Sequence, residues 1–294
     1  MSSRCLDGSA RPRAGALRAA VLAAACAALY SAHAGAADTI AAAGALTVCA
    51  APDNLPYSNR ERAGFDNRIA ALLARDLGLE LRYVWVPDQR GLIRKTLQSG
   101  FCDVLPGVPA GIEGAPTTSP YYRSTYVFVS RAGSPPVRTF DDPRLANARV
   151  GVEVVGNDMA ATPAGHALAR RGIYHVSGFP PLGLTPAVQR MVDALARGEL
   201  DVGVAWGPPA GYFADRAHAG LTVVPAERPA DQPMLPFTFA IAFAVRPDAP
   251  LLRRALDAAI DRQHAAIARI LDEYAVPQPT ASDPLASCAP APSC

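Results

Sequence analysis

LQSGFCDVLPG (Leu97 to Gly107) and LARGELDVGVAWG (Leu195 to Gly207) are written to one plan. Each has a leucine, a glycine three residues on, and an Asp-Val pair three residues after that. The glycine stops a helix, the aspartate starts an apolar strand, and the strand runs into a glycine-proline loop. A chain that writes this unit twice reads as two similar α/β halves facing each other.

The flanks of the first copy alternate strand and helix. LTVCA (Leu46 to Ala50) reads as a short buried strand and APDNLPYSN as a loop. In GFDNRIAALLARDLGL, Phe65, Ile69, Leu72, Leu73 and Leu77 recur at helical spacing, with Asp66 the expected cap and Gly78 the stop. LELRYVWV places Leu79, Leu81, Tyr83 and Trp85 on one strand face, and Gly91 to Ser99 reads as a second short helix ending at Gly100. The second copy has matching flanks: NARVGVEVVG as strand and turn, a helix near Ala164 to Arg171, IYHVSGF as a short strand, and TPAVQRMVDALARG as a helix with Val188, Met191, Val192 and Leu195 inward. TFAIAFAVRP (Thr238 to Pro247) is a further apolar strand. After it, a long amphipathic helix carries Leu252, Leu256, Ile260, Ile267 and Leu271 on one face. Repeated strand-helix-strand units give a mostly parallel sheet covered by helices.

PGVPAGIEGAPTTSPYYRST (Pro106 to Thr125) cannot be helical, because proline removes donors and glycine resists ordering. If this segment ends extended, Tyr121 and Tyr122 face opposite ways and at least one is accessible or lines a cleft.

The N-terminus reads as a secretory signal peptide over residues 1–36: Arg4, Arg11, Arg13 and Arg18 precede AAVLAAACAALY, with small residues at Ala32, Ala34 and Ala36. Its apolar run is too short for a membrane span. Cys26 does not read as a lipidation site, since only seven residues separate it from Arg18 and alanine stands three places before it. Removing this leader moves the formal charge from +2 to about −1, so composition gives no argument for nucleic acid. Cys49, Cys102, Cys288 and Cys294 remain, an even number in an exported protein. Three pairings of four cysteines exist; Cys49 with Cys102 and Cys288 with Cys294 is the favoured one, and no CxxC or neighbouring histidine supports zinc instead.

The order LTVCAAPDNLPYS, GFDNRIAALLARDLG, LIRKTLQSGFCDV, SPYYRSTYVFV resembles the type II periplasmic solute-binding proteins of the amino-acid transport class, over essentially the whole mature chain. The resemblance implies two α/β lobes, each a mostly parallel sheet flanked by helices, joined by two hinge strands with a ligand cleft between them. Lobe 1 would comprise residues 38–131 plus 236–276, lobe 2 residues 132–235, and residues 277–294 a proline-rich tail. Ligands of such lobes sit beyond the carboxyl ends of the strands. The expected cleft residues are therefore Asp53, Asn54, Leu55, Pro56, Tyr57 and Ser58, with Phe65, then Pro106, Gly107, Val108 and Pro109, Tyr121 and Tyr122, Gly156, Asn157 and Asp158, and Trp206, Gly207 and Pro208.

Amino-acid binders of that class carry hydroxyl residues and an arginine after the strand that here ends at Gly107, and this chain has Val108 to Gly114 instead. A glycine-threonine-threonine anion turn is replaced by Gly156, Asn157 and Asp158, and no acidic residue ends LDVGVAWGPP. Losing such charged hydrogen bonds costs about 2 to 5 kcal/mol each, which argues against a standard amino acid.

A narrower resemblance, carried by CAAPDNLPYSN, RGLIRKTLQSGFCDVLPGVPAG and TTSPYYRSTYVFVSR, is to the J-type accessory proteins associated with quinoprotein dehydrogenases in methanol oxidation, a pattern that Cys49 and Cys102 also fit. It implies a periplasmic, non-enzymatic protein that helps a pyrroloquinoline quinone dehydrogenase mature or become active, with that dehydrogenase, and its cytochrome c, as partners. An apolar, proline-rich rim of Leu55, Pro56, Val108, Pro109, Pro208 and Pro209 would hold a partner segment. The alternative is the substrate-binding component of an ABC transporter for a small solute. The scattered histidines form no catalytic arrangement, GVEVVGND has no phosphate-loop spacing, and Asp141, Asp142 and Asp158 do not alternate as calcium ligands do, so neither a catalytic residue, a metal nor a cofactor is expected.

Overall fold

The computed structural model of the chain describes residues 44–87, 91–133, 135–155, 160–183, 185–232 and 234–279. The leader, Gly156 to Asp158, Cys288 and Cys294 lie outside them. The strand β1 (Ala45–Ala50) leads into a hairpin of β2 (Asp53–Asn54) and β3 (Ser58–Asn59), then α1 (Phe65–Asp76), β4 (Glu80–Trp85), α2 (Leu92–Lys95), β5 (Val104–Pro109) and the long β6 (Tyr122–Arg131). Next come β7 (Val150–Val155), β8 (Ala160–Ala161), α3 (Pro163–Arg170), β9 (Val176–Phe179), α4 (Ala187–Ala196), β10 (Val202–Trp206), α5 (Gly207–Arg216) and β11 (Leu221–Pro225). β12 (Thr238–Val245) and α6 (Pro250–Glu273) close the chain.

The sheet runs β4-β1-β5-β12-β6-β10-β7-β8, with β11 beside β6 and β9 beside β7. β4, β1 and β5 are parallel, as are β10, β7 and β9; the antiparallel β12 and β6 lie between the two groups. β6 does the joining. Its residues Tyr122 to Thr125 pair with β12, and Tyr126 to Ser130 pair with β10. One strand therefore passes from one parallel group into the other, the two-lobed α/β architecture expected from the sequence. The inward residues read from α4 and α6, including Met191, Leu195, Leu256 and Ile267, are all buried.

The two echoed segments do the same structural job. Gly100 and Gly198 both take left-handed conformations, φ 71° and 75°, which L side chains resist. The aspartate that follows each then clasps the start of a neighbouring parallel strand. Asp103 donates its amide to the Thr47 carbonyl and accepts the Thr47 amide on its carboxylate, both at 2.8 Å; Asp201 treats Arg149 identically, both at 2.9 Å.

Three local expectations are corrected. Gly91 to Ser99 is helical only over Leu92–Lys95: the Thr96 hydroxyl bonds back to the Leu92 carbonyl while its amide is shared between Leu92 and Ile93, which ends the α-helix. The glycine-proline segment after Trp206 is the first turn of α5 rather than a loop, since proline there gives up an N–H with no intrahelical partner. Asp66 does not cap α1. Gly64 is the capping residue, and the Asn67 side chain accepts the Gly64 amide, leaving Asp66 to turn inward.

Cys49 in β1 is bonded to Cys102 before β5, with Cα atoms 5.6 Å apart and both residues buried. No helix among the described residues is long and apolar enough to cross a membrane.

Candidate functional site

Beyond the carboxyl ends of β1, β5 and β10 lies a cavity of about 310 Å³. β1 supplies Cys49 and Ala50, β5 supplies Leu105 to Val108, and Trp206 comes from the end of β10; Tyr122 and Ile241 complete the floor. The Pro56–Tyr57 turn closes one side because it is pinned to the start of α1: the Phe65 amide donates to the Pro56 carbonyl at 2.8 Å and the Asp66 amide to the Tyr57 carbonyl at 3.0 Å. Gly64 permits that approach, since a Cβ there would stand 2.1 Å from the Tyr57 oxygen. Phe65 then supports the aromatic wall edge-on, 5.3 Å from Tyr57 and 5.7 Å from Tyr122.

Asp66 is the charged residue that this geometry puts into the cavity, and it is 3% exposed. Its Oδ1 accepts the Tyr121 hydroxyl at 2.6 Å, and Tyr121 accepts the Gly107 amide at 3.0 Å. Burial raises its pKa to about 7, and the Tyr121 hydrogen bond offsets that only in part. A second carboxylate, on β7 and outside the cavity lining, stands behind Trp206. The parallel pairing of β7 with β10 stops at Val152 and Val204, which leaves the Trp206 amide without a strand partner, and Glu153 accepts it at 2.9 Å. Loss of water raises Glu153 to about 7 also. Tyr57 sits within the field of both carboxylates, its hydroxyl accepting from the Trp206 side chain, and its pKa is pushed up first by burial and then by Glu153 and Asp66. Among the described residues, no arginine, lysine or histidine lines the cavity, and none offsets either carboxylate.

The expected cleft residues divide. Asn54, Tyr57, Ser58, Pro106, Gly107, Val108, Tyr122 and Trp206 line the cavity. Tyr121 is buried behind it and Phe65 beneath it, so both members of the Tyr121–Tyr122 pair are core residues with a role at the site. Asp53, Leu55, Pro56 and Pro109 are not part of the lining, and Gly207, Pro208 and Pro209 are buried in the first turn of α5. The lining therefore takes up fewer of the expected prolines, with Pro106 among them. Gly156, Asn157 and Asp158 fall outside the described residues.

Sequence reasoning missed both carboxylates as site groups. Asp66 stands in a helix-start pattern that reads as a cap; Glu153 is the single charge in the apolar run GVEVV, which is the available signal. No grouping of three or more metal-ligating side chains occurs among the described residues.

No family model matches the chain. Protein MoxJ of Methylorubrum extorquens is 32% identical over 248 residues, which cover 80% of this chain and 82% of MoxJ. The chain belongs to the MoxJ family. The solved periplasmic binding protein XoxJ of Methylobacterium extorquens AM1 is 31% identical, with a TM-score of 0.66 over 80% of this chain and 99% of XoxJ. MxaJ of Methlophaga aminisulfidivorans MPT is 25% identical, with a TM-score of 0.66 over 79% of this chain and 99% of MxaJ. The chain thus has the type II periplasmic solute-binding fold that its sequence resemblance implies.

Proposed function

We propose that this MoxJ-family chain is a non-enzymatic periplasmic accessory protein of a methanol oxidation system, and that it binds the system's quinoprotein dehydrogenase to assist maturation or activation. The observation that carries this reading is the 32% identity to MoxJ along most of both chains. The site agrees with it. Where an amino-acid receptor would hold a carboxylate with an arginine, this cavity presents Pro106, Gly107 and Val108, with no basic group among the described lining residues. The mature, oxidised protein should retain the dehydrogenase from periplasmic extract of its methanol-grown host, with Pro109→Asp, at the exposed end of β5, weakening retention. Retention of no dehydrogenase would overturn the proposal.

A second reading, the receptor of a transporter for a small solute, is favoured by a cavity of about 310 Å³ at the carboxyl ends of the strands. It requires a small molecule to be released when the purified protein is denatured.

A further inference from the structure

The cavity holds an ionisable acid with half of its hydrogen-bonding capacity unused. Asp66 Oδ1 is committed to Tyr121, whose own oxygen is oriented by the Gly107 amide. Oδ2 has no hydrogen-bond partner among the described residues. It lies beside Gly107, whose missing side chain leaves it uncovered, since a Cβ there would stand 3.2 Å from Oδ2. Buried carboxylates are retained in folded proteins when something pairs with them. Here no cation among the described residues does so.

Several candidate occupants fail on geometry. A divalent metal wants several oxygen ligands, and no such group is present among the described residues. A guanidinium binds a carboxylate best through both oxygens, and Tyr121 already occupies one. A primary ammonium needs a single strong acceptor and gains from aromatic faces, which Tyr57, Tyr122 and Trp206 supply.

We infer that the cavity binds a primary alkylammonium group, hydrogen-bonded to Asp66 Oδ2 between the aromatic side chains of Tyr57, Tyr122 and Trp206. Glu153, acting on the same Tyr57, adds negative potential from the opposite strand group. The inference rests on the cleft being this protein's binding site, as proposed above. The ammonium could belong to a free amine or to a lysine side chain of the bound partner, and the chemistry at Asp66 is the same.

The test is a thermal-shift and calorimetric titration of the mature, oxidised protein at constant ionic strength. The free-amine probes are methylammonium and n-butylammonium, the protein-side probe is the capped tripeptide acetyl-Gly-Lys-Gly-amide, and the references are sodium and tetramethylammonium. At least one primary ammonium should raise Tm above both references, and Asp66→Asn, which keeps an acceptor for Tyr121, should weaken its binding at least tenfold. Binding by the amines alone assigns a free solute, and binding by the tripeptide alone assigns a partner lysine. Equal responses to primary ammonium, tetramethylammonium and sodium would overturn the inference, with no variant needed. Unchanged binding by a folded Asp66→Asn would overturn it too. Failure to retain a dehydrogenase would remove the accessory role and leave this result standing.

Discussion

The Tyr121 hydroxyl donates to Asp66 at 2.6 Å while accepting the Gly107 amide at 3.0 Å. This relay joins three segments that meet only in the fold: the start of α1, the bend in β5 and the entrance to β6. Tyr121→Phe should cost about 1 to 3 kcal/mol, because it strips partners from a buried carboxylate and a backbone amide together. Tyr122→Phe is the matched control. Its hydroxyl makes no hydrogen bond among the described residues, so urea denaturation should separate the two variants by more than 1 kcal/mol, within about the range expected for one buried polar contact.

The elevated Asp66 pKa gives the protein a pH-dependent stability with a definite sign. Between the ordinary value of 3.8 and about 7, the folded protein keeps a proton that the unfolded chain has released, so stability falls as pH rises through this window. At about 1.4 kcal/mol per pH unit, the loss attributable to Asp66 is at most on the order of 4 kcal/mol by pH 8. Asp66→Asn should therefore be more stable than wild type at pH 8, equal to it near pH 4, and visibly flatter between. Denaturation midpoints at pH 4, 6 and 8 measure this directly, and a wild-type midpoint that climbs with pH would contradict it.

Gly64 and Gly78 flank the same helix and should respond very differently to alanine. A Cβ on Gly64 would meet the Tyr57 carbonyl at 2.1 Å, so Gly64→Ala must push the cavity's aromatic wall away from α1. Gly78 has only its left-handed φ of 68° to lose and open space around it. Gly78→Ala should cost about 1 kcal/mol, and Gly64→Ala should cost several times that or yield no folded protein. Thermal melts of the two variants make the comparison.

Reduction should loosen the site as well as the fold. The Cys49–Cys102 bond closes a separation of 53 residues, and loop-closure entropy puts its contribution at about 4 kcal/mol. Cys49 also lines the cavity. The Cys49→Ala, Cys102→Ala protein should melt well below the oxidised parent, while dithiothreitol should lower the Tm of the parent alone.

The fold was legible because its signals are local. Glycine stops, apolar periodicity and alternation each act within a few residues, and they placed α1, α3, α4, α6 and most of the strands. The site was only half legible because its chemistry is not local. Asp66 sits at a helix start, where aspartate ordinarily caps, and nothing nearby in sequence reveals that its partner Tyr121 lies 55 residues away. Glu153 could be marked as an odd charge in an apolar strand, but its acceptor role exists only because β7 and β10 stop pairing two residues before Trp206. Pro208 was misplaced for the opposite reason: glycine-proline signals both loops and first helical turns, and here burial of α5 decides.

The echo between Leu97 and Leu195 yields a last prediction, since its two aspartates form a matched pair of clasps. Asp103 and Asp201 each hold a backbone amide of a neighbouring parallel strand, Thr47 within β1 and Arg149 just before β7. Asp201 also pairs with the Arg149 guanidinium at 2.6 Å, whereas Arg246 approaches Asp103 only to 3.4 Å. These ion pairs are partly exposed and add little, so the backbone clasp should dominate at both positions. Asp103→Ala and Asp201→Ala should each cost about 1 to 2 kcal/mol, and Asn at either position should recover most of it, because its side-chain oxygen still accepts the strand amide. If charge were the main effect, Asn would be as damaging as Ala and the loss would shrink in 1 M salt. Denaturation of the four variants at low and high salt separates the two accounts, and a salt-independent rescue by Asn identifies the repeated aspartate as a strand clasp in both halves.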